Sequence, residues 1–147
     1  MTVRVQSLLW VTAQFALVAL LLLGSVPWHF GAVAVCLALA AVVLALWVFW
    51  HNPPGNFNIR PEPRSGARLV TSGPYRRVRH PMYVALLLGT AALVTAGSDV
   101  GLLWGLWALL VLVLHFKAAL EERLLEERFP EYRDYRQHTG RFLPGLG

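Results

Sequence analysis

Phe30-Gly31-Ala32-Val33-Ala34-Val35-Cys36-Leu37-Ala38-Leu39-Ala40-Ala41-Val42-Val43-Leu44-Ala45-Leu46-Trp47-Val48-Phe49-Trp50 carries no charged side chain. At about 1.5 Å per residue the stretch reaches roughly 30 Å as a helix, the depth of a bilayer's hydrocarbon core. A lone strand is excluded, because its backbone N–H and C=O groups would stay unpaired in lipid, and no period-two alternation suits a barrel. Three further apolar segments read the same way: Leu8 to Val26, Pro81 to Ala96 and Val100 to Phe116. The last two are short and are expected to gain length from flanking residues. In a 147-residue chain that is 56% hydrophobic and 14% charged, no single soluble core hides so much apolar surface. The expectation is an all-α integral membrane protein, residues 1–147 forming one membrane domain with four transmembrane helices.

The basic residues set the orientation. Arg4 precedes the first span, six arginines run from Arg60 to Arg79, and six basic residues run from Lys117 to Arg141. The connections Gly24 to His29 and Gly97 to Asp99 carry none. Cytoplasmic loops are the ones enriched in Lys and Arg, so both termini and the central loop are expected on the cytoplasmic side of a multi-pass protein. The net charge of +5 is thereby absorbed by topology. No recognition helix or zinc spacing supports nucleic-acid binding. Arg4 before a long apolar run has the look of a cleavable leader, but its length and the lack of a small-x-small site before Pro27 favour a retained helix. Cys36 stands alone in mid-membrane, which excludes a disulfide framework and a thiolate metal set.

Two polar clusters border the membrane on that same face. Arg79-His80-Pro81-Met82-Tyr83 stands where Arg76, Arg77 and Arg79 meet the third apolar run, and Glu121-Glu122-Arg123-Leu124-Leu125 continues the fourth. Ionisable groups are costly near hydrocarbon, so such a grouping points to a site. The competing reading is an interface belt of snorkelling arginines and a tyrosine. For the second cluster it is a solvated helix with Lys117–Glu121 and Arg123–Glu127 pairs at i,i+4 spacing. That explains Glu126, Glu127 and Arg128 better than Glu121 and Glu122, which lie one turn past Phe116. Pro81 suits the first turn of a helix, placing His80 at its N-cap beside free N–H groups that favour an anion. Between these clusters and the second span, Asn52-Pro53-Pro54-Gly55-Asn56 and Pro61-Glu62-Pro63 forbid helix, ending the span near Trp50. Asn56-Phe57-Asn58-Ile59 and a strand-like Leu69-Val70-Thr71-Ser72-Gly73-Pro74-Tyr75 are expected to pack against the membrane domain.

Leu69 to Tyr75, then Arg79-His80-Pro81-Met82-Tyr83, then Glu121-Glu122-Arg123-Leu124-Leu125 with Phe129, Tyr132 and Tyr135, together resemble the isoprenylcysteine carboxyl methyltransferase and phospholipid methyltransferase group of membrane enzymes. The resemblance covers roughly residues 52 to 144. It implies S-adenosylmethionine as cofactor on the cytoplasmic side, with His80 and Tyr83 at its methionine end, Glu121 and Glu122 at its ammonium or ribose, and Tyr75 and Pro81 also among the cofactor-binding residues. It also implies a lipophilic small-molecule or lipid acceptor entering from the bilayer. Three departures from the group stand out: Ala85 where glycine is usual, Pro130 where glycine is usual, and Gln137 with His138 where basic residues are frequent.

The chemistry needs little more. A sulfonium methyl is already activated, so an in-line nucleophile and exclusion of water matter most. A carboxylate acceptor, ionised at neutral pH, would be positioned by bidentate bonds from Arg79 or Arg136. An amine acceptor needs a base, for which His80 and Glu122 are candidates. No metal is expected from the spacing of the five histidines, and no G-x-G-x-x-G fingerprint is present. A carboxylate is the expected acceptor and an amine the alternative. A nicotinamide-dependent membrane reductase and a non-catalytic membrane subunit are the readings from other classes.

Overall fold

The structure, a computed structural model, describes residues 2–52, 56, 61, 66 and 68–146. These form α1 (Val3–Gly24), α2 (Ala32–His51), a 3-10 turn (Gly73–Arg76), α3 (Pro81–Ala96), α4 (Val100–Arg128) and α5 (Tyr132–His138), with no β-strand among them. Three helices, α1, α2 and α4, are long and apolar enough to cross a membrane; α3, at 16 residues, is shorter.

Local chemistry sets the ends. α2 stops at Asn52, whose extended backbone (φ −100°, ψ 115°) suits a residue that precedes proline. Pro81 occupies the first helical position of α3 with His80 as N-cap, where a missing N–H costs no hydrogen bond. Asp99 caps α4 by accepting from the Leu102 N–H at 3.2 Å. α4 then runs unbroken for 29 residues, about 43 Å at ~1.5 Å per residue, so it outlasts a ~30 Å hydrocarbon core by more than two turns. It ends at Phe129, before Pro130.

α1 packs on α4 and α2 on α3, with α3 and α4 joining the two pairs. Leu17, Leu21, Val94, Leu103, Leu110 and Leu114 form the buried seam. Between α2 and α3 the buried side chains are mostly small, including Ala34, Ala41, Ala85 and Ala92, which lets backbones approach closely. The outward surface is apolar: Val33, Leu39, Val43, Leu46 and Trp50 are all exposed. A face of that kind is stable against lipid.

The C-terminal segment returns as a strap across the start of α3. Arg79 N–H donates to Gly140 O at 2.8 Å, His80 N–H to Arg141 O at 3.1 Å, and Gly140 N–H to Arg77 O at 3.1 Å. This ladder pins the motif of α3 to the end of the chain.

Several expectations shift. The first helix starts at Val3, not Leu8, because the polar residues before Leu8 still satisfy their backbone within the helix. Residues 69–72 form no strand; the chain there leads into the 3-10 turn at Gly73, whose φ of 58° suits glycine and whose place is tight, since a Cβ would meet the His51 ring at 2.3 Å. Of the expected loop packing, Asn56 touches the membrane domain, its Nδ2 donating to Asn52 Oδ1 at the end of α2 at 2.8 Å; within the loop its side chain accepts from the Arg68 N–H at 2.8 Å and donates to Arg68 O at 3.0 Å. Phe57, Asn58 and Ile59 lie outside the described residues.

Candidate active site

His80 and Tyr83 sit at i and i+3 across the first turn of α3, so their rings meet in parallel with centroids 5.2 Å apart. Phe142, on the strap, closes edge-on against both. Opposite them, α4 presents Glu121 and Glu122. Consecutive helical residues point about 100° apart, since each turn holds about 3.6 residues, and the two carboxylates have different surroundings.

Glu122 is a buried hub. Its Oε1 accepts from Arg79 Nε at 2.8 Å and Arg141 Nε at 3.1 Å, and its Oε2 from Arg141 Nη2 at 2.7 Å. His80 Nε2 lies 3.2 Å from Oε1. Arg79 goes further, donating from Nη1 to the carbonyl oxygens of Arg136 and Thr139. These charge-assisted bonds join α3, α4 and the strap into one unit. Glu121 is freer: it accepts from Tyr83 Oη at 2.8 Å, stands 3.7 Å from His80 Nδ1, and leaves 28% of its side chain exposed.

A small cavity of about 110 Å³ lies in front, lined by Asn52, Asn56, Tyr75, Arg79, His80, Pro81, Met82, Tyr83 and Glu121. Arg79 Nη2 is buried and has no partner among the described residues. Tyr75 is held by two contacts, its carbonyl accepting from Tyr135 Oη at 2.6 Å and its hydroxyl from Asn52 Nδ2 at 3.4 Å. Burial, reinforced by the Glu121 charge, pushes the Tyr75 phenol up to about 12. Burial also drives the Tyr132 and Tyr135 phenols upward. All of these stay protonated at neutral pH, as donors rather than bases. Met82 and Tyr83 also line a groove of about 1140 Å³ that runs into the membrane region along α1, α2 and α3.

Most residues singled out in the sequence converge here: Tyr75, Arg79, His80, Pro81, Tyr83 and Glu121 line the small cavity, and Glu122 stands behind it. Arg136 does not join them. Its side chain is 44% exposed and its guanidinium pairs with Glu126 at 2.5 Å, a bond that raises its pKa. It lines a separate cavity of about 510 Å³ with Arg133, Gln137 and His138. The expected Lys117–Glu121 pair is replaced by a contact across helices, Lys117 Nζ donating to Gln14 Oε1 at 2.7 Å. Arg123 and Glu127 do pair, at 3.4 Å on the exposed face. Ala85 is buried along the membrane groove. Sequence reading missed Arg141, Gln14, Lys117 and the amides Asn52 and Asn56. Only Arg141 carried a signal, as a basic residue closing the tail.

The profile of the phospholipid methyltransferase family matches residues 29–132, more than half of the chain. The chain belongs to the phospholipid methyltransferase family. The family match takes in α2, α3, α4 and both polar clusters, and stops before Arg136 and Arg141. Two relatives align over 83 residues, 56% of this chain. They are the nickel-cobalt-cadmium resistance protein NccN of Alcaligenes xylosoxydans xylosoxydans, 35% identical, and the cobalt-zinc-cadmium resistance protein CzcN of Cupriavidus metallidurans, 36% identical. The aligned segment covers 39% and 38% of those relatives' own lengths.

Proposed function

We propose that this member of the phospholipid methyltransferase family is a membrane methyltransferase that uses S-adenosylmethionine and acts on a lipophilic acceptor entering from the bilayer. One observation carries the proposal: Glu121, His80, Tyr83 and Arg79 converge on a polar cavity whose wall, at Met82 and Tyr83, is shared with a membrane groove. A polar chamber beside an apolar one is what a charged methyl donor and a greasy acceptor require.

The donor set suits the amino-acid end of the cofactor. Arg79 Nη2, buried without a partner among the described residues, offers a donor to a carboxylate, while the partly open Glu121 offers an acceptor to an ammonium. Asn52 and Asn56 add amides, and Tyr75 a phenol held protonated. Bound there, S-adenosylmethionine would supply a methyl group already activated by its sulfonium. The chain's part is then to orient and to exclude water. Glu122 serves as a positioning residue: by holding Arg79, His80 and Arg141 it fixes the side chains that face the cavity. Arg79 is the residue proposed nearest to both partners. Arg136, which faces a different cavity, keeps at most a supporting role through its 4.0 Å approach to Glu122.

In the proposed topology α1 to α4 all cross the bilayer. The termini and the site, built from residues 69–85 and 117–142 of one membrane domain, lie on the cytoplasmic side, as the clustering of basic residues favours. Both a carboxylate and an amine remain acceptor classes at this level.

Calorimetric titration of the purified protein in detergent with S-adenosylhomocysteine, and separately with NADPH, tests the proposal. Saturable binding of the former, weakened roughly tenfold or more by Glu121→Gln as expected for a charged hydrogen bond, supports it. NADPH binding alone would replace it by a reductase. Binding of neither would leave a non-catalytic membrane subunit.

A further inference from the structure

The chain has a single lysine, and it sits in an unexpected place. Lys117 is 2% exposed, on α4 one turn before Glu121. Its Nζ donates to Gln14 Oε1 at 2.7 Å and stands 5.2 Å from the centre of the Tyr83 ring. Gln14 comes from the middle of α1, so an ammonium and an amide from distant parts of the chain meet at the same point of the membrane groove. The rest of that groove is apolar, with Phe15, Val42, Leu86 and Leu93 among its walls. Thr90, the other hydroxyl there, already donates to the carbonyl oxygens of Leu86 and Leu87.

An ionisable side chain in a membrane segment is costly and marks a functional site by default. Its direct contacts are one amide oxygen and a ring face, and the Glu121 charge one turn along α4 acts on it without an ion-pair contact among the described residues; an ammonium has three protons to donate and Gln14 takes one. The groove is open on one side, since α1 and α2, which form its two outer walls, have no substantial contact with each other among the described residues. Its rim residues Leu8, Phe15, Val42 and Phe49 are exposed. An amphiphile entering there would bury its chain along the groove. Its head would stop at Lys117, beside Tyr83 and the polar cavity.

We propose that Lys117 and Gln14 form a head-group site that selects an anionic single-chain lipid, a carboxylate, as the occupant of the groove. This rests on the methyltransferase reading for its meaning, and it resolves the acceptor class that reading leaves open. A cationic amine would meet a like charge in a low-dielectric setting, where repulsion is weakly screened. A carboxylate would complete the coordination of the ammonium and take the Gln14 amide N–H₂ as a second donor.

Three probes with the same chain, palmitate, hexadecanol and hexadecylamine, separate charge from hydrophobic burial. Binding of each labelled probe is measured on the full chain in phosphatidylcholine nanodiscs, with thermal unfolding as a check on folding. Palmitate should bind about tenfold or more tightly than either other probe, the scale of a charge-assisted hydrogen bond. Lys117→Met should erase that preference, and Lys117→Arg should retain it. Gln14→Glu, which keeps the lysine but supplies its own carboxylate, should erase it too. Equal binding of the three probes to the unmodified chain, or a palmitate preference that survives either Lys117→Met or Gln14→Glu, would overturn the proposal. S-adenosylhomocysteine binding, measured in parallel, keeps the two readings apart. If it binds without any palmitate preference, the head-group site falls and the methyltransferase stands; a palmitate preference without it does the reverse.

Discussion

Glu121 and Glu122 are neighbours in sequence with the same side chain, yet their replacement by glutamine should have opposite consequences. In Glu122→Gln one oxygen becomes an N–H₂ group, which turns a donor toward the donors of Arg141 or Arg79. Arg141 has an escape, because its side chain is 16% exposed and water can take over. Arg79 has none, with its side chain fully buried. Removing one partner of a buried ion pair costs about 3–5 kcal/mol, a large share of a typical total stability of about 5–15 kcal/mol. Glu121→Gln keeps an acceptor for Tyr83 on a partly exposed side chain, and its effect on folding should stay below about 1 kcal/mol. Unfolding of the full chain in detergent by denaturant, followed by tryptophan fluorescence, gives both values. S-adenosylhomocysteine titration supplies the complementary ordering, with Glu121→Gln the more damaging per unit of stability lost. A stable Glu122→Gln protein, or equal destabilisation by the two changes, would refute the division of labour between them.

Gly140→Ala should loosen the strap, because a Cβ there would meet the Leu143 carbonyl oxygen, a backbone atom, at 1.7 Å; thermal unfolding should register a loss of about 1–3 kcal/mol, together with weaker cofactor binding. Alkaline stability follows from the phenols. Tyr75 is raised from 10.0 to about 12, so the unfolded chain releases its proton first, and stability should be constant below pH about 10 and fall as pH rises towards 12; a flat profile across that interval in denaturant titrations would contradict it. For topology, a reporter fused after Gly147 should be cytoplasmic and one inserted at Ser98 external, and finding both on one side would remove the four-span arrangement.

The helices were legible because lipid leaves an apolar segment little choice: with no water to satisfy its backbone, it must coil. Pro81 and His80 marked the start of α3 for an equally local reason. α4 was legible as far as Phe116, and the helical continuation through Glu121 and Glu122 followed from their i,i+4 charges. The inequality of those two glutamates was not legible, because it depends on rotation about the helix axis relative to Arg79 and Arg141, and the strap that brings Arg141 back is a long-range feature. The Gln14–Lys117 contact was hidden in the same way: nothing near Gln14 in sequence signals a partner on the last long helix. Arg136 lies on α5, whose rotation pairs it with Glu126, and a rotation of that kind is set by tertiary packing.

Photolabelling tests the central claim without knowledge of the acceptor. The full chain in detergent is irradiated with methyl-labelled S-adenosylmethionine, with and without excess S-adenosylhomocysteine, and the label is mapped by peptide. Label should fall within residues 69–85 or 117–142, disappear with the competitor, and drop sharply in Glu121→Gln. Label that resists the competitor, or that lies on α1 or α2 alone, would contradict a cofactor site between the start of α3 and the end of α4.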